Sequence, residues 1–279
     1  MWRSDDAMAQ VARHPQNPIA VIPARMASVR LPGKLLADIH GAPMIVHVWR
    51  RAIAANFSRV VVACADGEIV DAVRAVGGEA VETDPDLPSG TDRVQAAVAA
   101  LDPAGDHGIV VNVQGDLPTV SPATLSAVLT ALDDPAVDIA SVAAPISSRD
   151  ERDDPHVVKV ALEMAPDARI GRALYFSRSP IPSGDGPTYH HIGVYAFRRT
   201  ALDRFVALPQ GLLEQRERLE QLRALAHGFR IDVAIVDETP IGVDTPADLK
   251  RARAAIAPPD AAPGAPPDAP PPTTPDAAG

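Results

Sequence analysis

Short apolar runs alternate with amphipathic stretches along most of this chain, and the period of each predicts the element it forms. Ile19, Ala20, Val21 and Ile22 make a compact run of buried-strand type, which Pro23 is expected to end because proline cannot donate to a central ladder. A polar loop follows, and apolar character resumes at Leu35 and Leu36. Spacing then predicts a helix over 44–55, a strand over 59–64, a helix over 69–76 stopped by Gly77-Gly78, and a strand over 79–83. A helical period returns over 91–101 and a strand over 109–113, after which Ser121-Pro122 supplies a cap and a first-turn proline to another helix. This rhythm predicts an α/β fold: a mostly parallel sheet with helices on both faces and ligands at the carboxyl ends of its strands.

The middle of the chain reads differently. Residues 138–143, 156–163, 170–176 and 191–197 carry alternating or β-branched patterns, which predict an added antiparallel strand region walling one end of the sheet. A helix is expected over 212–227 with Gly228 as its stop, then a strand over 231–236 and a last helix entered through Thr245 and Pro246.

Composition adds limits to this picture. The 279 residues suffice for one α/β domain, but 258–279 is almost wholly Pro, Ala, Asp, Gly and Thr and is expected to be disordered. Residues 1–17 read as a flexible N-terminal extension, which leaves a body over 18–257. No apolar stretch has membrane-spanning length and the N-terminus lacks the apolar centre of a signal peptide, so a cytoplasmic protein with no membrane partner is expected. The single cysteine, Cys64, falls in an apolar run and reads as core. A net charge of -10 argues against nucleic acid as a partner, yet leaves open a nucleotide held by a local cationic cluster and a divalent metal.

Six places carry candidate chemistry. The loop after the first strand gathers Arg25, Arg30 and Lys34, two planar forks and a point charge, with Gly33 allowing close backbone approach. That suits phosphate, and a solvated basic turn is the plain alternative; neither GxxxxGK[ST] nor a strand-borne GxGxxG is present. Pro88, Ser89 and Gly90 form a turn that brings Ser89 to the sheet rim or serves merely as a helix lead-in. Gln114, Gly115 and Asp116 emerge at the end of the strand over 109–113, and Asp116 is not needed as a cap because Ser121 fills that place. It can be a Mg²⁺ ligand or a solvated turn residue. Asp244 is likewise left over beside a cap completed by Thr245 and Asp248, and would share a metal with Asp116 if the two loops meet. His191 and Tyr195, four apart on one strand, face the same side and form either part of a pocket or a buried polar pair. Glu217, Glu220 and Gln221 fall together on one face of the helix over 212–227, either for hydroxyl recognition or as a solvated face.

In order, these segments resemble one family. IPARMASVRLPGK at 22–34 is similar to the nucleotide-binding signature of 3-deoxy-manno-octulosonate (Kdo) cytidylyltransferases, and SGTDR at 89–93, NVQGDLP at 112–118, ALYFSRSPIP at 173–182, HHIGVYAFR at 190–198, LEQLR at 219–223 and GVDTPADL at 242–249 resemble its later segments. Two departures stand out: Leu117 replaces a usual glutamate, and the loop over 183–190 is short for the family. The resemblance implies a Rossmann-like nucleotidyltransferase domain over 18–257 that transfers CMP from CTP to the anomeric hydroxyl of Kdo for lipopolysaccharide biosynthesis. It also implies a homodimer that uses Mg²⁺. By the same resemblance Lys34, Arg25, Asp116 and Asp244 are catalytic, with Asp116 and Asp244 as metal ligands. Ala24, Arg30, Ser89, Gly90 and Gln114 would contact substrate, as would His191, Tyr195, Glu220 and Gln221 on the sugar side. A related nucleotidyltransferase, for sialic acid or another 8-carbon sugar, and a non-catalytic nucleotide-binding homologue are the alternatives.

Overall fold

The computed structural model describes residues 17–27 and 30–257, so the expected tail and, apart from Asn17, the expected N-terminal extension lie outside the described residues. In chain order the first half contains β1 (Ile19–Ala24), a 3₁₀ turn (Lys34–Leu36), β2 (Asp38–Ile39), β3 (Ala42–Pro43), α1 (Met44–Ala54), β4 (Arg59–Cys64), α2 (Gly67–Arg74), β5 (Glu79–Glu82), α3 (Gly90–Leu101), β6 (Ile109–Asn112) and α4 (Pro122–Thr130). The second half contains β7 (Ile139–Pro145), α5 (Arg149–Asp153), β8 (Lys159–Glu163), β9 (Ile170–Ser177), β10 (Tyr189–Arg198), α6 (Arg199–Val206), α7 (Leu212–Glu217), α8 (Gln221–Ala226), β11 (Ile231–Ile235) and α9 (Pro246–Ala255).

One sheet runs in the order β5-β4-β1-β6-β10-β7-β11-β9-β8. Its first four strands are parallel, but β10 enters antiparallel between β6 and β7, and β9 lies antiparallel to both β11 and β8. The sheet is therefore mixed rather than mostly parallel. Part of the reason lies in the connections: segment 164–169, which joins β8 to its neighbour β9, is too short for the crossover helix that parallel neighbours need. The pleat divides the core in two. On β1, Ala20, Ile22 and Ala24 pack with α1, α2, α4 and α9, while Ile19 and Val21 pack with α3, α6 and α8 on the other face.

Three expectations are corrected. First, β1 continues through Pro23 to Ala24. The Val21 carbonyl accepts from Val113 on the β6 side, so Pro23, two residues on, turns its missing donor to that side, beyond the last paired position Val21–Asn112. Second, β8 starts at Lys159 and not at 156, because the buried Lys159 ammonium donates to the carbonyls of Asp154, Val157 and Arg178 and holds the preceding segment as a turn. Third, the helix expected over 212–227 is two short helices, α7 and α8, separated at Arg218 with φ 56. A buried ion pair folds one against the other: Arg223 donates to both Glu214 carboxylate oxygens at 2.5 and 2.9 Å. The hairpin β2–β3 and helices α5 and α6 had no counterpart in the predicted elements. Among the described residues, no helix is long and apolar enough to cross a membrane.

Candidate active site

The carboxyl ends of β1 and β6 and the segment before α9 meet at one rim, and Lys34 is their junction. Gly33, at φ 67, turns the chain into the 3₁₀ segment and directs Lys34 inward. Its Nζ donates to Asp116 Oδ2 at 2.7 Å, to Asp244 Oδ1 at 2.9 Å and to the Val243 carbonyl at 3.0 Å. The Val243 amide in turn donates to the Asp116 carbonyl at 3.0 Å, so the two acidic loops are joined through backbone as well. Burial alone would lower the Lys34 pKa, but the charge of Asp116 and hydrogen bonds to both carboxylates outweigh it, and the net shift is upward.

Each element frees its acid for this meeting. Ser121 caps α4 by accepting from the Thr124 amide at 3.1 Å, which leaves Asp116 unencumbered. Thr245 and Asp248 form the capping box of α9, and Asp248 Oδ2 also accepts from the Asp244 amide at 3.1 Å, fixing the backbone of Asp244 outside the helix. Burial raises the Asp248 carboxyl, yet hydrogen bonds from Arg251, Thr245 and the Asp244 amide overcome it and hold the pKa at about 2. Gly115 lets the Asp116 loop lie against β1: a Cβ there would stand 3.1 Å from the Pro23 carbonyl oxygen and 3.3 Å from Ile45 Cδ1.

A cavity of about 470 Å³ opens beside this junction, a volume suited to a nucleotide. Ala24, Arg25, Arg30, Lys34, Ser89, Gly90, Gln114, Asp116 and Asp244, all singled out from sequence, line it. Arg30 pairs with Asp244 Oδ2 at 2.8 Å, whereas Arg25 is exposed and, among the described residues, has no ion-pair partner. Ser89 is spent on structure, because its Oγ accepts from the Thr91 and Asp92 amides as the cap of α3 and donates to Asp92. The positive end of α3 thereby faces the cavity. Arg93, one turn inside α3, also lines the cavity and was not among the residues singled out. It is 2% exposed and hydrogen-bonds the Thr83 hydroxyl, with no carboxylate partner among the described residues. Its place in SGTDR was the available signal. A second missed residue is Asp66, whose carboxylate accepts from the Met26 amide at 2.8 Å and anchors the loop.

The sugar-side residues do not share that cavity. His191 and Tyr195 do face the same side of β10, with ring centroids 5.4 Å apart, although the register with β7 shifts between Ile192 and Tyr195. His191 is buried, with Nε2 2.9 Å from the Ser141 hydroxyl, and burial, helped slightly by His190, pushes its pKa down to about 3. It is a neutral packed residue that lines neither cavity. Burial and the Glu220 charge raise the Tyr195 hydroxyl. Tyr195, Glu220 and Gln221 meet at a second cavity of about 10 Å³. The break at Arg218 separates Glu217 from this group, so the three-residue face expected on one helix does not form. Glu217 instead accepts from the Ser177 hydroxyl at 2.8 Å and from the Arg178 amide at 3.1 Å.

Among the described residues there is no group of three or more His, Cys, Asp or Glu side chains able to cage a metal. Two carboxylates at the mouth of an anion-sized cavity are, however, the donor set on which Mg²⁺ sits when phosphate oxygens and water complete its shell. Asp116 and Asp244 therefore fit that ion.

Residues 19–231 match the family model described as Cytidylyltransferase. A 3-deoxy-manno-octulosonate cytidylyltransferase from Paramagnetospirillum magneticum is 60% identical over 239 residues, which span 86% of this chain and 97% of that protein. The chain belongs to the 3-deoxy-manno-octulosonate cytidylyltransferase family. The family's member from Rhodospirillum centenum is 62% identical over 244 residues, 88% of this chain and 95% of that one. A solved structure described as CMP:2-keto-3-deoxy-manno-octonic acid synthetase complexed with CTP superposes with a TM-score of 0.78 at 40% identity, covering 85% of this chain and 97% of the other. A cytidylyltransferase from Leptospira borgpetersenii superposes with a TM-score of 0.55 at 13% identity, a likeness of fold alone.

Proposed function

We propose that the chain transfers CMP from CTP to the anomeric hydroxyl of Kdo and releases pyrophosphate. The observation that carries the chemistry is the junction itself: Lys34 between Asp116 and Asp244 at the mouth of a cavity that Arg25, Arg30 and Arg93 also line. The family's relatives supply the identity of the two substrates by name.

The step is an in-line displacement at the α-phosphorus, in which the sugar hydroxyl approaches opposite the departing pyrophosphate. Four cations and the N-terminus of α3 counter the charge of the triphosphate, and low exposure of Arg93 and Lys34 strengthens their share. When Mg²⁺ is bound by Asp116 and Asp244, it supplies further charge neutralisation and lowers the pKa of a coordinated hydroxyl. Gln114 faces the nucleotide cavity, and Tyr195, Glu220 and Gln221 give the acceptor its polar contacts. His191 supports the Tyr195 ring as a neutral group. The same reading assigns the four parallel strands to a Rossmann-like nucleotide-binding half, and places the enzyme in the cytoplasm as a homodimer serving lipopolysaccharide synthesis.

Pyrophosphate release from CTP with Mg²⁺ tests this directly, with Kdo compared against sialic acid and CTP against UTP. Release is expected with Kdo and CTP, and chelation of Mg²⁺ is expected to stop it. No release with Kdo, or faster release with sialic acid, would reject the assignment.

A further inference from the structure

The two cavities are joined by a row of side chains whose middle members, Asn112 and Thr91, have no part in the reaction described above. Gln114 Nε2 donates to Asn112 Oδ1 at 3.2 Å, Asn112 Nδ2 to Thr91 Oγ1 at 3.5 Å, and Thr91 Oγ1 to Glu220 Oε2 at 2.5 Å. All three donors point the same way, from the nucleotide cavity to the Glu220 carboxylate, so each bond polarises the next. Asn112 and Thr91 are 1% and 4% exposed, and bulk water does not compete for them. Thr91 also differs from its neighbours on α3: Gly90 and Arg93 line the large cavity, whereas Thr91 lines the small one.

Glu220 is left with one oxygen fixed and one available. Its Oε1 is buried and has no hydrogen-bond partner among the described residues. Arg223 Nη2 lies 3.6 Å from it and is already committed to Glu214 at 2.5 Å. A buried carboxylate oxygen without a donor is costly unless a ligand completes it, and the adjoining space of about 10 Å³ is on the order of one oxygen atom.

We infer that Thr91 is a positioning residue for the acceptor, holding Glu220 so that Oε1 accepts a sugar hydroxyl, while Asn112 and Gln114 tie that setting to the nucleotide cavity. This rests on the transferase reading, with the acceptor at Tyr195, Glu220 and Gln221. Thr91→Val keeps the shape and removes both hydrogen bonds of the hydroxyl. The KM for Kdo is expected to rise about tenfold, the effect of losing one hydrogen bond to a charged group. The KM for CTP, and CTP affinity measured by calorimetry without acceptor, are expected to stay within about twofold of wild type. Thr91→Ser is expected to restore the wild-type KM for Kdo, and adding Thr91→Val to Glu220→Gln is expected to change it by less than about twofold. Should the valine variant fail to fold, Thr91→Ala carries the same comparison. Active wild type with an unaltered KM for Kdo in the Thr91 variant, or an equal rise in both KM values, overturns this inference alone. Wild type inactive with Kdo overturns the transferase reading and this inference with it.

Discussion

Replacing Lys34 with alanine separates the chemistry of the rim from its stability. The ammonium makes three hydrogen bonds, to Asp116 at 2.7 Å, Asp244 at 2.9 Å and the Val243 carbonyl at 3.0 Å. Truncating one partner of a fully buried ion pair costs about 3–5 kcal/mol. Here the lysine side chain is 13% exposed but the carboxylates are 32% and 46% exposed. Water can resolvate those acids once the cation is gone, so the loss falls to about 1–2 kcal/mol. In a body of this size that lowers Tm by about 2–8 °C and leaves the chain folded at room temperature. Catalysis loses far more. One preorganised donor to developing charge is worth about 10²–10³ in turnover. The variant also turns an uncompensated Asp116, and an Asp244 held only by Arg30, toward an arriving triphosphate, so kcat/KM is expected to fall at least about a thousandfold.

The sign of the pH dependence follows from the raised lysine pKa. The ion pair contributes its full stability below the ordinary value of 10.5 and loses it only as pH rises through the higher folded value. The stability difference between wild type and Lys34→Ala is therefore expected to stay constant through neutral pH and to shrink above 10.5. Pyrophosphate release and thermal melts of both proteins provide the check. A variant that keeps kcat/KM within about tenfold of wild type, or one that loses activity only because it unfolds, refutes the reasoning.

Two other perturbations probe separate parts of the structure. Gly115→Ala places a Cβ 3.1 Å from the Pro23 carbonyl oxygen, which the strand cannot withdraw; activity is expected to drop about tenfold for a stability loss of ~1 kcal/mol, checked by kinetics beside urea melts. His191 titrates at about 3 in the folded chain and at the ordinary 6.5 when unfolded, so its contribution to stability is complete above 6.5 and drains as pH falls toward 3. His191→Gln is expected to make the acid-side decline of Tm shallower, and an unchanged slope would count against a neutral buried imidazole.

What could be read from sequence depended on whether a residue's neighbours had already met its local needs. Asp116 and Asp244 stood out because Ser121 and the Thr245–Asp248 box account for the nearby helix caps, and the structure brings both acids to one ammonium. Tertiary contacts account for most of the misses. No glycine or proline within 212–227 marks Arg218, and the break there follows from the Glu214–Arg223 pair. Pro23 was expected to end its strand under a rule that assumes a ladder on both sides, whereas β6 stops pairing at Asn112. Arg93 looks like any charged residue of an amphipathic helix until the sheet shows that α3 turns it inward.

The charge balance of the rim explains how a chain of net charge -10 can hold a polyanion at all. Asp244 is engaged on both oxygens, Oδ1 by Lys34 and Oδ2 by Arg30, and Asp116 by Lys34, so two of the cavity's cations are neutralised by the two acids beside them. Arg25 and Arg93 have no such carboxylate among the described residues, and they frame the same cavity from the loop after β1 and from α3. The unpaired guanidinium groups attract an anion, while the paired ones keep the acids in place until phosphate competes for the same donors. The arrangement needs no basic surface: the field that matters is set within a few ångströms of Lys34, where screening by salt and the distant acidic residues is weakest.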